Sequence, residues 1–354
     1  MDDLLQKLGV VLPIIQAPMA GTSTPALAAA VSNAGGLGSI GVGAVDAAKA
    51  RAAIGAVRSA TNRAFNVNVF CHQPAPPPDP AREAAWIEKL APAFAAFGVE
   101  PPSNLREIYK SFAADDAMFE MLLLERPAVV SFHFGLPSAA KIAALRSAGI
   151  ILLASATSLE EARAVAAAGV DAVVAQGIEA GGHRGVFDPT APDEQLGTLA
   201  LTRLFVKNLG IPVVAAGGIM DGAGVAAVLA LGAVAAQMGT AFIACPETDA
   251  DAAYRAALLD KTSVRTTLTT AISGRPARCI VNKFTALGAS ATAGEIAPYP
   301  MAYDAGKALN AAAKARGDGG YGAQWAGQGA ALARSMPAAQ LMSTLQAELG
   351  RACL

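Results

Sequence analysis

Eight short apolar runs punctuate this 354-residue chain, and nearly all are followed by a helical stretch. They fall at 14–17, 37–40, 64–69, 128–132, 150–154, 172–176, 212–216 and 233–238. Strands that alternate with helices argue for a parallel sheet, because each helix must carry the chain back before the next strand can run the same way. Eight such units favour a closed (β/α)8 barrel, the α/β TIM-barrel class, over an open doubly wound sheet. An open dinucleotide-binding sheet would carry its glycine fingerprint after the first strand. Here glycine-rich turns follow several strands, as expected when loops at one barrel end share a site.

Local signals support the helices. Thr24 with Pro25 suits an N-cap and first helical position, Asp46 caps a helix to about residue 60, and Ser158 to Glu161 reads as a capping box. The rhythm breaks at the Pro-rich spacer 73–80, which can neither pair nor coil. Helical pieces follow near 81–97, 103–113 and 115–124. After about residue 260 the strand signal fades. Residues 275–300 read as loop-rich, with helices near 301–316 and 323–349. The expected organisation is a barrel from 1–72 and 124–258, a helical lid or substrate-binding region from 73–123 and 259–322, and a C-terminal helix from 323–354 packing on the barrel.

Composition narrows the partners. The net charge is −1, which gives no basis for nucleic-acid or anionic-membrane binding. Residues 222–246 carry no charge, but Gly232 and Gln237 divide them into a helix and a strand rather than a membrane span. Cys71, Cys245, Cys279 and Cys353 lie far apart, which fits free thiols in a reduced compartment, and the N-terminus lacks a signal-peptide apolar region; the expected location is cytoplasmic.

In a barrel the chemistry sits at the C-terminal strand ends. Those ends offer Met19-Ala20-Gly21, Asn68, His133, Gln176, Gly181-Gly182-His183, Gly217-Gly218 and Gln237-Met238-Gly239-Thr240. Glycines after the seventh and eighth strands expose backbone N–H groups that suit a phosphate. Asn68, Gln176 and Gln237 each supply a donor and an acceptor for the edge of a flat heterocycle. Phosphate plus heterocycle suggests a mononucleotide, and FMN fits best. The plainer alternatives are a simple chain turn at Gly217-Gly218 and local backbone pairing by Asn68.

Of three histidines, His183 sits in a glycine stretch with little apolar sequence to bury it, and it is the leading catalytic candidate. His133 lies between two phenylalanines, equally suited to packing or to the site. His72 reads as structural or exposed. The three are not spaced as a metal set and no carboxylate cluster joins them, so no metal is expected. Tyr299, Tyr303 and Lys307 fall at four-residue steps, and a helix begun by Pro300 would put Tyr303 and Lys307 on one face. With Tyr109 and Tyr254 they would form a lid of hydroxyls and one ammonium, suited to a small anionic substrate. An ordinary amphipathic helix with a snorkelling lysine is the alternative.

These motifs resemble the nitronate monooxygenases, formerly 2-nitropropane dioxygenases, and most closely the bacterial class I members. The carrying residues are Gln16-Ala17-Pro18-Met19-Ala20-Gly21 with Thr24-Pro25, Val31 to Gly38, Phe65-Asn66-Val67-Asn68, Ser131 to Gly135, Gln176 to Gly185, Ala215 to Gly222, Gln237 to Thr240 and Ala323 to Gly329. The resemblance implies an FMN-dependent barrel with a lid that uses O2 to oxidise alkyl nitronates, propionate 3-nitronate among them, to a carbonyl compound and nitrite, a detoxification. It makes His183 the active-site histidine. It makes Asn68, Gln176, Gly181, Gly218 and Gln237 to Thr240 flavin contacts. The competing enzyme reading is an NAD(P)H-dependent flavin reductase, of quinone or enoyl-ACP type, on the same barrel; a non-catalytic flavin- or phosphate-ligand-binding barrel is the alternative from another class. Oligomeric state is not legible in the sequence.

Overall fold

The architecture comes from a computed structural model that describes residues 3–74, 77, 79–292 and 294–352. Eight parallel strands build the central sheet: β1 (Ile14–Gln16), β2 (Gly38–Gly41), β3 (Phe65–Phe70), β4 (Val129–His133), β5 (Ile151–Ala156), β6 (Ala172–Gln176), β8 (Val213–Ala216) and β9 (Ala235–Met238). The order is β1-β9-β8-β6-β5-β4-β3-β2. The two edges meet, because Leu37 N–H donates to Ile14 O at 3.0 Å and Gln16 N–H to Leu37 O at 2.9 Å. The barrel is therefore closed, which removes the exposed sheet edges. All eight apolar runs of the sequence became these strands.

The barrel interior below the site is filled by inward side chains, among them Ile15, Leu37, Leu153, Val174 and Val214, and Leu4 and Leu5 of the helix Asp3–Lys7 join them. Outside, helices cover the strands in two apolar layers. The caps act as their sequence suggests: Thr24 Oγ1 accepts from Leu27 N–H at 3.1 Å, Asp46 from Lys49 N–H at 2.8 Å and Asp221 from Gly224 N–H at 2.8 Å. Ser158 caps Glu161 N–H at 3.2 Å, but the returning Glu161 carboxylate takes Thr157 N–H and Phe187 N–H instead, so it ties two loops together.

Three stretches depart from the sequence reading. No helix forms at 103–113, where only a short 3₁₀ turn, Phe112–Ala114, appears. The C-terminal helix begins at 338 rather than 323 (Ala338–Ala352). Before it, the chain threads closely past the barrel: a Cβ on Gly327 would stand 2.6 Å from Glu179 O. The fading strand signal after 260 hides an antiparallel pair, β10 (Thr266–Thr269) with β11 (Ala277–Ile280), and β11 also pairs with β7 (Gly182–His183). These strands are too short to show a period, and β10 is half-buried throughout. Ala75, Pro76 and Pro78 of the Pro-rich spacer, and Cys353, lie outside the described residues.

Helices Pro80–Ala96, Lys283–Gly288 and Met301–Ala315 share a separate apolar core through Trp86, Leu90, Phe94, Phe284 and Leu309. Phe112, Met118, Met121 and Leu122 instead join the layer around β3 and β4. Helix Ala338–Ala352 packs on helices Pro25–Asn33 and Gly222–Ala230. No described helix is long and apolar enough to cross a membrane.

Candidate active site

The C-terminal strand ends and the aromatic residues above them enclose a cavity of about 430 Å³, large enough for a small-molecule ligand. Every site residue named from the sequence lines it: Met19, Ala20, Gly21, Asn68, Tyr109, His133, Gln176, Gly181, Gly182, His183, Gly217, Gly218, Gln237, Met238, Gly239, Thr240, Tyr254, Tyr299, Tyr303 and Lys307.

One wall is mostly backbone. Gly217 and Gly218 follow β8 with φ of 128° and 70°, values that suit glycine. A Cβ on Gly217 would stand 2.5 Å from Thr198 Oγ1. Thr198 is itself fixed: its N–H donates to both Glu179 carboxylate oxygens, at 3.0 and 2.9 Å, and its Oγ1 lies 2.8 Å from Glu179 and 3.0 Å from Gly217 O. The N–H groups of Gly218 and Gly239 have no acceptor among the described residues. Two free amides on a glycine cradle are what an anionic phosphate requires.

The three amides play different parts. Gln176 is committed to the chain: its Nε2 donates to His183 O at 2.9 Å and its Oε1 accepts from Gly185 N–H at 2.7 Å. Asn68 Nδ2 donates to Ser131 O and Oγ, leaving Oδ1 without a partner among the described residues. Gln237 is half-buried, and no described residue bonds its side chain. Arg184 is buried and pairs with Asp193 through two 2.8 Å contacts while donating to Gln176 O, which stiffens the turn from β6 into β7.

The opposite wall is aromatic. Tyr109, Phe134 and Tyr299 form a buried cluster, with Phe70 and Tyr303 against it. The Lys307 ammonium lies 4.8 Å over the Tyr109 ring and 5.3 Å over Tyr303, although the residue remains exposed at the cavity edge. Desolvation lowers Lys307 from the usual lysine value. Burial pushes Tyr303 up to about 12 and raises Tyr109 and Tyr299 further, so all three carry their protons near neutrality. Tyr254 OH donates to Trp325 O, and the Tyr299 hydroxyl is buried with no partner among the described residues.

His183 is therefore held on a strand rather than on a free loop. Its Nε2 lies 2.9 Å from Ser273 Oγ, and its ring lies 5.0 Å from Trp325 and 5.6 Å from Phe134. His133 resolves toward the cavity, with Nδ1 2.6 Å from Ser155 Oγ and Nε2 3.3 Å from His183 O. His72 is not exposed: it is buried between Phe134 and Tyr299. Desolvation, then neighbouring charge, depresses all three, His72 and His133 to about 4 and His183 to about 3. All three are neutral near pH 7. Ser273, Arg275, Phe70, Phe134 and Trp325 were not singled out as site residues. Arg275 had one usable signal: it sits with Arg265, Arg278 and Lys283 in a stretch, 261–294, that carries no acid.

A family model described as nitronate monooxygenase matches residues 2–348. The chain belongs to the nitronate monooxygenase family. It is similar to a nitronate monooxygenase from Paraburkholderia phytofirmans, 65% identical over 98% of this chain and 94% of the relative. Another, from Pseudomonas aeruginosa, is 57% identical over 98% and 99%. Among solved structures, a nitroalkane oxidase from Streptomyces ansochromogenes superposes with a TM-score of 0.91 at 44% identity, covering 98% of each chain. Family membership makes the chain an oxidoreductase, and the aromatic, histidine-bearing cavity lies where such a barrel does its chemistry.

Proposed function

We propose that this chain binds FMN in the cavity and oxidises alkyl nitronates with O2 to a carbonyl compound and nitrite, with propionate 3-nitronate as a substrate and detoxification as the role. The observation that carries the reading is the pairing of a glycine cradle with a roof whose one ammonium, Lys307, stands at the entrance. FMN fits the first wall. Free N–H groups at Gly218 and Gly239 suit its phosphate, while Asn68 Oδ1 and the Gln237 amide suit the polar edge of its ring. When bound, FMN would supply the redox chemistry, taking electrons from the substrate and passing them to O2.

The protein's own residues then select the substrate's charge state. Lys307 and the Tyr109 and Tyr303 hydroxyls receive the carboxylate of propionate 3-nitronate. The orphan Tyr299 hydroxyl gains a partner in the nitro group, which removes the cost of an unpaired buried donor. His183, neutral and strongly depressed by burial, is a weak base. A nitronate has already lost its α-proton and needs no base. An unionised nitroalkane must give that proton to His183, so it is the poorer substrate. Purified protein given propionate 3-nitronate in air should release nitrite and consume O2, and a preparation that is yellow but releases no nitrite would overturn the assignment. Substituting Asn for His183 should abolish turnover of neutral nitroalkanes while sparing nitronates; equal losses on both forms would remove His183 from the proton step.

A further inference from the structure

The turn between β10 and β11 passes directly behind His183 and brings two polar side chains that the reading above does not use. Ser273 is fully buried and Arg275 is 3% exposed. Ser273 Oγ lies 3.1 Å from Arg275 O, and no other described group donates to that carbonyl. A serine hydroxyl has one proton. If that proton goes to Arg275 O, Ser273 Oγ faces His183 Nε2, 2.9 Å away, only as an acceptor. It also accepts from Arg275 N–H at 3.3 Å. Nε2 must then carry the imidazole proton. The other nitrogen, Nδ1, has no partner among the described residues. Unlike both nitrogens of His72, it is not sealed from the cavity that His183 lines.

Arg275 supplies the second half. It forms no ion pair with any described carboxylate; Glu161 and Asp188 act on it only from a distance. One Nη donates to Val186 O, and Nε is buried without a partner. The guanidinium lies 4.3 Å from the centre of the Phe134 ring, and Phe134 is held at a φ of 73°, an outlier for a bulky residue. The other rings around Phe134 are His133 at 4.3 Å, Phe70 at 5.1 Å, His183 at 5.6 Å, Tyr299 at 5.7 Å and His72 at 6.4 Å. His183 faces His133 from β4, Tyr299 and Tyr303 from the lid helix and its entry, and Trp325 from the segment before the C-terminal helix. Arg275 is thus the fixed positive charge behind an otherwise neutral cluster, and its field opposes a second positive charge on any of the three imidazoles.

We propose that Ser273 and Arg275 are positioning residues that hold His183 as a neutral imidazole with the proton on Nε2 and the Nδ1 lone pair facing the cavity. Ser273 sets the tautomer, and Arg275 adds to burial in keeping the ring uncharged. The inference deepens the reading of His183 as the proton-handling side chain and rests on it. The arrangement also separates labour: the solvent-reachable cation, Lys307, recognises the substrate anion, while the buried one helps keep the histidine from competing for it.

Nitrogen-15 NMR of the full-length flavin-bound protein labelled at histidine tests this without turnover. Signals of His183 are assigned by their loss in His183→Asn. At pH 7 the wild type should show protonated Nε2 and unprotonated Nδ1. Ser273→Ala should let the Nδ1–H tautomer appear, and Ser273→Thr should restore the wild-type pattern. Arg275→Met should raise the pH of His183 protonation by about one unit, while Arg275→Lys leaves it within a few tenths. A wild-type His183 protonated on Nδ1, or a titration unmoved in Arg275→Met, overturns the proposal. Should a variant fail to fold, the wild-type tautomer still decides. A protein that gives this spectrum but no nitrite from nitronate would fail the functional reading alone.

Discussion

The two walls of the cavity are built on opposite principles. The floor presents backbone: at Gly217 and Gly218 a side chain would collide or strain the chain, and Gly239 adds a further free N–H. Its shape is set by the barrel's hydrogen-bond ladder and by the Glu179–Thr198 clasp. The roof, from Tyr109 to Trp325, is made of side chains from segments hundreds of residues apart, held by ring packing and by the separate core of the lid helices. A floor of this kind is rigid and suits a resident cofactor. A roof of this kind depends on how well its helices pack, and it suits recognition of a substrate that comes and goes.

Substitutions can break that contrast, beginning on the floor. Gly217→Val places a branched side chain at φ 128° and against Thr198, so bound flavin should fall at least tenfold in the purified protein, read from the visible absorbance. Full retention would mean that the turn is not the cradle. On the roof, Trp86→Ala empties a fully buried site in the lid core and should cost about 3–5 kcal/mol in denaturant unfolding. Flavin content in the folded protein should stay near wild type; equal loss of flavin would show floor and roof to be one unit. Lys307→Met should lower kcat/KM for propionate 3-nitronate about tenfold, close to 1.4 kcal/mol for a partly exposed ion pair, with little change for an uncharged-chain nitronate.

A last effect concerns acid. His72, 1% exposed, has its folded value depressed to about 4 by burial first and Arg275 second, against about 6.5 unfolded. Between those values the unfolded chain binds a proton that the folded chain refuses, so stability is complete above about pH 6.5 and declines as pH falls toward 4. His72→Leu should therefore flatten the loss of unfolding free energy between pH 6.5 and 4.5 by up to about 2 kcal/mol. An unchanged slope would show that His72 is not the group responsible.

The same contrast explains what was legible in the sequence. The floor is written locally: an apolar run, then glycine or an amide, repeated strand after strand, so the barrel, its closure and the glycine cradle could be read directly. The lining position of Tyr299, Tyr303 and Lys307 was also readable, because one helical period carries the last two. The roof's second tier was not. β10 and β11 are four residues each, too short to announce a period, and only their pairing with β7 brings Ser273 and Arg275 behind His183. Likewise the helix expected at 323 yields to close threading at Gly327, a tertiary contact with no local signature. His72 read as either structural or exposed beside a Pro-rich stretch, and the sequence did not choose because the rings that bury it come from residues 134 and 299.

The central claim is that the cavity takes electrons from a substrate that arrives as an anion. Rapid anaerobic mixing of the flavin-bound protein with propionate 3-nitronate, and separately with NADH, tests it most directly. The account predicts that the nitronate bleaches the flavin's visible band within the turnover time and that NADH leaves it essentially unchanged. Rapid bleaching by NADH with none by the nitronate would contradict it and assign the barrel to the nicotinamide-dependent flavin reductases.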